Sequence, residues 1–333
     1  MVIAAWAYPA ALLATWLGLA LIGERWWVTT ALLYVPCIAF GAPLVVLVPA
    51  LLLMRRRQLI WTQALAFMLT LFPLMGVVLP GLGGHNAGPT LTLMSFNVNS
   101  EAEGVAQIVH EIGANSPDVV LLQEVSPNSA LQELLKPRFP YTEASTQFII
   151  ASRYPITERT DPAKIPFEGH ERSPRFMRYV VDSPLGRLAI YSLHPLSPRG
   201  ALGIYRFRGA LRRLRSGEFL AGDPEADVGA NARLRDAQIR ISSEMAAKES
   251  LPVLLAGDTN LPGLSAIRRR YLSGYGDAFR QASWGFGYTY PAQHPWMRLD
   301  RIMADHRLRF TDFHVGCAGA SDHLCVVARI VRP

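Results

Sequence analysis

The chain has 333 residues, half of them hydrophobic and 18% charged, with a formal net charge of +7 and a mean hydropathy of +0.17. This balance excludes a wholly disordered chain, which needs low hydrophobicity and high net charge. Three cysteines likewise exclude a small disulfide-stapled scaffold. The average conceals two unlike parts. Residues 1–90 carry five formal charges, Glu24, Arg25, Arg55, Arg56 and Arg57. Residues 91–333 carry the other 25 acidic and 29 basic side chains, a net of only +4. The first part reads as membrane and the second as a soluble domain.

Three apolar stretches, at about 2–23, 26–54 and 59–79, reach the roughly 20 residues that cross a bilayer as a helix. None shows the polar face that a surface helix needs. No charged side chain follows Met1 and two more apolar runs follow the first, which argues against a cleaved signal peptide. Pro36, Pro43 and Pro49 predict kinks in the second stretch. Several of Trp6, Trp16, Trp26, Trp27 and Trp61 fall at predicted ends, where interfacial anchors sit. Arg55–Arg57 is the basic cluster between the stretches, and positive residues favour the cytoplasmic side. The Glu24–Arg25 turn and everything after Leu79 then lie outside. The expectation is a multi-pass protein of the cell membrane with an extracytoplasmic domain. Arginine outnumbers lysine 30 to 3, a bias that suits a GC-rich bacterial genome.

Residues 81–90, rich in Gly and Pro, read as a linker, and 91–333 as the folded domain. Strands are expected at 91–96, 119–123, 148–151, 176–181, 188–193, 253–256 and 325–331, and helices at 102–113, 128–135 and about 231–248. Strands mixed with helices over tens of residues predict an α/β sandwich. An Arg-rich insertion spans about 196–235. There Arg199, Arg206, Arg208, Arg212, Arg213 and Arg215 fall within 17 residues, interleaved with apolar side chains. It reads as a lid, a surface for anionic headgroups, a nucleic-acid strip, or simply a solvated helical face.

Polar residues recur where apolar strands end. Asn97, Glu124 and His194 follow the first, second and fifth strands, while Asp258 and Asn260 follow Val253–Gly257. Asp300 sits inside RLDRI (298–302), and Asp322 with His323 immediately precedes the last strand. Ligands of α/β proteins favour strand ends. Any one of these residues is explained by a turn or a satisfied loop histidine; six such coincidences are harder to dismiss. The set reads as phosphoryl-transfer equipment. Glu124 and one or more aspartates offer hard oxygens suited to Mg²⁺ or Mn²⁺. His194 and Asn260 can donate to phosphoryl oxygens, and His323 can act as a base or partner an aspartate. No dinucleotide-binding or P-loop glycine motif is present, so no dinucleotide cofactor is expected. The dispersed cysteines argue against zinc, although Cys317 and Cys325 could pair across the Asp322–His323 loop.

The ordered series SFNV (95–98), LQEV (122–125), SRYPI (152–156), Leu193-His194, GDTN (257–260), RLDRI (298–302) and SDH (321–323) resembles the endonuclease/exonuclease/phosphatase superfamily over essentially all of 91–333. That resemblance implies a four-layer α/β sandwich with two facing mixed β-sheets, here preceded by an all-helical transmembrane region. It implies a metal site on Glu124, with Asn97 and Asp322 near the ion. It further implies that Asp258 activates or orients water and that Asn260 and His194 hold phosphate. His323 is then the general base or a phosphate contact, oriented by Asp300. One departure from the pattern is Thr259, where an aromatic is common.

The superfamily does not name the substrate. Three spans ahead of such a domain resemble bacterial membrane phosphatases linked to teicoplanin resistance, which are thought to act on undecaprenyl diphosphate. The leading expectation is a metal-dependent phosphoesterase acting on a lipid diphosphate or a phospholipid headgroup at the outer face of the lipid bilayer. The alternatives are an anchored exported nuclease, whose partner is DNA or RNA, and a non-catalytic tethered binding module.

Overall fold

The computed structural model describes residues 1–79, 88–203 and 227–333. Most of the expected linker and the Arg-rich stretch 204–226 therefore lie outside the described residues.

Among the described residues fourteen strands form two large sheets and a small ribbon. The first sheet contains β1 (Leu91–Asn97), β2 (Val119–Gln123), β3 (Tyr141–Ser145), β4 (Phe148–Ser152), β13 (Arg309–Gly316) and β14 (Cys325–Val331), in the order β13-β14-β1-β2-β4-β3. The second contains β5 (Ile156–Thr160), β8 (Phe176–Ser183), β9 (Gly186–Leu193), β10 (Val253–Asp258), β11 (Gly276–Asp277) and β12 (Asp300–Ala304), in the order β11-β12-β10-β9-β8-β5. Strands β6 (Ile165–Phe167) and β7 (His170–Arg172) pair separately. Both large sheets are mixed: β1 runs parallel to β2 and β9 parallel to β10, while the other pairs are antiparallel. The seven apolar runs expected as strands all form strands. Those not expected include β3, β5 and β13, whose solvent-facing positions break up the apolar signal as an edge strand requires.

The strand period of two sorts side chains between two interiors. Leu91 and Leu93 of β1, Val119 and Leu121 of β2, Leu188 and Ile190 of β9, and Leu254 and Ala256 of β10 meet between the sheets. Met94, Phe96, Val120 and Leu122 face the other way, onto helices Val105–Asn115 and Leu131–Leu135. Ala189, Tyr191, Val253 and Leu255 face helices Val228–Ala246 and Ala266–Leu272. The result is the expected helix–sheet–sheet–helix sandwich. Val228–Ala246 begins within the expected Arg-rich insertion. Its Arg235 is buried and donates to the Leu196 carbonyl and Asn231, so this end of the segment is core rather than lid.

The apolar N-terminal part departs from three straight spans. Helix Val2–Leu21 is long and apolar enough to cross a membrane. The second stretch breaks into Trp27–Leu33 and Cys37–Leu53, bent by 95°, and counts as a span only if the pair is taken as one. Pro36 sits at that break, and Pro43 precedes helix Leu44–Leu53 within the second piece; each lacks a backbone N–H. The third stretch gives helix Ile60–Leu69 and a π turn at Thr70–Leu74 containing Pro73. The described residues thus hold one membrane-length helix, or two with the bent pair, in place of three.

This part is packed directly on the sandwich. Gly23 has φ +54°, and a Cβ there would lie 2.7 Å from Ala266 Cβ. The turn it makes lets the buried Glu24 carboxylate accept from the Ser265 hydroxyl and from Ala266 N at 2.9 Å. An acid at the start of helix Ala266–Leu272 satisfies free N–H groups and opposes the helix dipole. Tyr288 Oη donates to the Met75 carbonyl, and Val78 bridges to Gly285.

Gly257 is the tightest point of the fold. Its φ is +145°, and a Cβ would sit 2.0 Å from the Leu193 carbonyl oxygen of the neighbouring strand. Gly257→Ala is expected to destabilise the protein by at least about 2 kcal/mol through overpacking and backbone strain. A chemical-denaturation midpoint equal to that of the wild type would contradict this.

Candidate active site

The inward-facing alternation that builds the central core turns polar at one end of both sheets. Leu91 and Leu93 are followed two residues apart by Ser95 and Asn97, Leu121 by Gln123, Ile190 by Ser192 and His194, and Ala256 by Asp258. Gln123 Nε2 donates across the sandwich to Ser192 Oγ at 3.2 Å, and Ser95 Oγ lies 3.4 Å from Gln123 Oε1. These bonds form a polar floor. Above it the sequence-predicted residues converge.

Asn97 Nδ2 donates to Glu124 Oε1 at 3.0 Å and to Asp258 Oδ2 at 3.1 Å, linking the two sheets through carboxylates. His194 Nε2 lies 3.1 Å from Glu124 Oε1 and 3.7 Å from Asp258 Oδ2. Asp258 Oδ1 accepts from Asn260 N at 2.9 Å, and Asn260 Nδ2 donates to the Pro195 carbonyl. His323 Nδ1 meets Asp300 Oδ2 at 2.9 Å, and its Nε2 lies 3.6 Å from Asp258 Oδ2. Ser321 Oγ ties the last loop to the Asn97 carbonyl at 2.8 Å. The loop itself is closed by a Cys317–Cys325 disulfide, which answers a pairing that spacing left open. Glu124 and Asn260, each just past a strand end, hold left-handed φ values of +54° and +49°. Such conformations concentrate at functional sites.

The electrostatics follow from burial. Burial alone would raise Glu124, but hydrogen bonds from His194 and Asn97 and the charge of both histidines outweigh it, pulling the carboxyl down to about 2. Burial would lower His323, yet Asp300, Asp258 and Asp322 raise it to about 9. Burial pushes Asp300 upward against the pull of His323. The Arg199 guanidinium, which can only donate, lies 3.1 Å from His323 Nε2. The imidazole thus has a high proton affinity, with Nδ1–H directed at Asp300; in its neutral form the Nε2 lone pair faces Arg199.

Two groups of potential metal ligands share Asp258: Glu124, His194 and Asp258, and Asp258, Asp300 and His323. Within each group the ligand atoms lie within 4.8 Å of one another. Glu124 and Asp258 present hard oxygens and concentrate negative charge in a buried place, so this donor set fits a divalent cation. Asn97 sits between them, but its amide N–H groups point at the carboxylates and its oxygen accepts from Asn99 N. Asp322 is apart from both groups and pairs with Arg199 at 3.2 Å. Asn97, expected beside the ion, bridges the two carboxylates, and Asp322, expected there too, contacts Arg199.

Five contacts escaped the sequence reading. Gln147 Oε1 holds His194 Nδ1 at 2.7 Å. It precedes β4, which runs antiparallel to β2, so its strand start lies at the site end; knowledge of that pairing was needed to find it. Tyr290 packs on the His323 ring with centroids 4.7 Å apart, and Arg199 stacks over Tyr290 at 4.3 Å. Tyr34, from the apolar N-terminal part, donates from Oη to the Asn260 carbonyl at 2.8 Å. Thr259, the departure from the family pattern, is buried and bonds the Leu299 carbonyl, which joins the end of β10 to the approach to β12.

A profile described as "Endonuclease/Exonuclease/phosphatase family" matches residues 94–323. The chain belongs to this family. Solved structures that resemble it include an endonuclease/exonuclease/phosphatase from Beutenbergia cavernae DSM 12333, with 21% identity over 73% of this chain and 72% of that one, and a TM-score of 0.51. A D. rerio TDP2 complexed with single-strand DNA product has 18% identity over 73% and 99%, with a TM-score of 0.50. A beta toxin from Staphylococcus aureus has 17% identity over 72% and 99%, with a TM-score of 0.51. At these identities the likeness is one of fold. No curated protein matches the sequence.

Asp300→Asn preserves shape but removes the charge that orients and raises His323. It is expected to lower kcat by roughly 10²–10⁴, the usual range for losing a positioned acid–base group, with little change in KM. Hydrolysis of bis(p-nitrophenyl) phosphate measures both, and wild-type kcat in this variant would remove Asp300 from the catalytic arrangement.

Proposed function

We propose that this chain is a metal-dependent phosphoesterase that hydrolyses a phosphate ester or diphosphate carried by a lipid, at the outer face of the bacterial cell membrane. The observation that carries the reading is the wall shared by the site and the apolar helices. Leu12, Leu19, Leu33 and Tyr34 form one cluster with Met297 and Leu299, against which Leu202, Tyr290 and Trp296 pack. Tyr34 touches the backbone of Asn260, and Tyr290 touches His323. A substrate with its phosphate at Asp258 and its chain along these helices leaves water on neither part of the wrong kind.

Mg²⁺ or Mn²⁺, held by Glu124 and Asp258 with His194 beside them, supplies charge neutralisation of the phosphoryl oxygens when bound. Asp258 then orients the attacking water at the meeting point of both sheets. His323, aligned by Asp300, accepts its proton, and His194, fixed by Gln147, donates toward the phosphoryl oxygens where charge builds.

Further features support the orientation. Helix Val2–Leu21 spans about 30 Å at 1.5 Å per residue. Its C-terminal end leads to Glu24 on the sandwich. Its start packs with the other end of the bundle, where Ala5 clusters with Leu51 and Leu59 and Trp6 meets Trp61. Arg55–Arg57 belong to that remote end, which suits a cytoplasmic edge. The Cys317–Cys325 disulfide suits an oxidising exterior. A nuclease reading draws on the TDP2 structure with single-strand DNA product.

The deciding experiment measures phosphate release by detergent-purified protein with Mg²⁺ or Mn²⁺, from undecaprenyl diphosphate and from single- and double-stranded DNA. Metal-dependent release from the lipid is expected. Glu124→Ala and His323→Ala should each reduce it by at least about 10². Cleavage of DNA with an inert lipid would overturn the substrate class.

A further inference from the structure

A cavity of about 310 Å³ lies at the junction of the apolar helices and the sandwich, separate from the catalytic cluster. That is near the lower end of ligand pockets, roughly 300–1,000 Å³. One wall is apolar, built from Trp16, Leu19, Leu33, Phe72 and Leu74. From the sandwich side the lining carries Arg268, Arg280 and Arg298. Arg298 is paired, whereas the charges of Arg268 and Arg280 are not balanced locally. Asp277 is bound by Arg298 at 2.7 Å and by the buried Arg301 at 3.2 Å, which occupies both of its oxygens. Among the described residues no carboxylate lies within ion-pair distance of Arg268 or Arg280. Arg268 spends its donors on one carbonyl, that of Gly263. Burial, and then the neighbouring Arg298, Arg280 and Arg269, bring Arg268 down to about 10 despite Asp277. The lining also includes Trp296, whose buried indole N–H has no partner among the described residues.

Uncompensated guanidinium groups beside an apolar wall define an amphiphile with a phosphate head. We infer that this cavity is a second binding site, for a phosphate-bearing lipid whose head meets Arg268 and Arg280 and whose chain lies along the N-terminal helices. The inference rests on reading those helices as lipid-facing, but not on which phosphate the catalytic centre hydrolyses. Trp296 packs on Tyr290 with ring centroids 6.5 Å apart, and Tyr290 packs on His323. The cavity wall is therefore two aromatic rings from the catalytic histidine.

The test uses the full-length protein in dodecyl maltoside micelles and native mass spectrometry to count retained lipid. The probes are dioctanoyl phosphatidylglycerol, farnesyl phosphate and, as a zwitterionic control, dioctanoyl phosphatidylcholine. One anionic lipid is expected per chain, held at least tenfold more tightly than the control. Preference for farnesyl phosphate names a prenyl source, and preference for phosphatidylglycerol a bilayer source; either supports the site. The double variant Arg268→Gln/Arg280→Gln should lose tenfold or more in retention while keeping wild-type hydrolysis of bis(p-nitrophenyl) phosphate, which also shows that it is folded. A second variant, Leu33→Trp, should exclude the lipid by filling the cavity. Unchanged retention in both variants, or equal retention of phosphatidylcholine, overturns the inference. Arginine-dependent binding alongside an inert lipid substrate would overturn the substrate reading alone.

Discussion

The structure turns on a buried carboxylate. Asp258 is almost fully enclosed where the two sheets meet, and a charge there is costly without partners. Asn97 reaches it from the opposite sheet, Asn260 N caps its other oxygen, and His194 and His323 flank it. Each partner arrives from a different strand end, so the sandwich must close with correct register for the charge to be tolerated. Gly257, one residue earlier, permits the close approach of β10 to β9 that brings Asp258 into place. The same compensation that makes the site foldable makes it reactive. The cluster of carboxylates offers ligands that could hold a cation and raises the proton affinity of His323.

The second dependence is the union of the apolar helices with the sandwich. Glu24, Tyr34 and the Val78–Gly285 bridge are specific polar contacts, unlike those of a flexible tether. They surround an otherwise apolar cluster that reaches Tyr290, and so connect the helices with the catalytic wall. On the proposed function, this shared wall would receive the apolar chain of the substrate. The arginine-lined cavity at the same junction follows this logic, with charge on the domain side and hydrocarbon on the helix side.

Much of the fold and site is legible from residues alone, for a definite reason. Fully buried central strands such as Val119–Gln123 and Val253–Asp258 are apolar runs that end abruptly in a polar side chain. The abruptness marks the point where the interior becomes a site. Strand β12 is harder to read, since it begins Asp-Arg and only burial of both charges makes it a strand. Edge strands β3 and β5 alternate with solvent and look like loops. Gln147, Tyr290 and Tyr34 have no local signal, because their roles depend on which strand pairs with which and on where a distant helix docks.

The sequence by itself separated an apolar from a charge-bearing part, pointed to the family, and named the set Asn97, Glu124, His194, Asp258, Asn260, Asp300, Asp322 and His323. Local composition and motif order carry that information because each motif is a strand end, readable within a few residues. Only the tertiary structure decided how the set is used: Asn97 as a bridge between carboxylates, Asp322 as the partner of Arg199, and Cys317 paired with Cys325. It also decided that the second apolar stretch breaks at Pro36 and that the helices rest on the catalytic wall. These outcomes depend on pairings between residues far apart, such as the 226 positions from Tyr34 to Asn260. No window along the chain contains both partners.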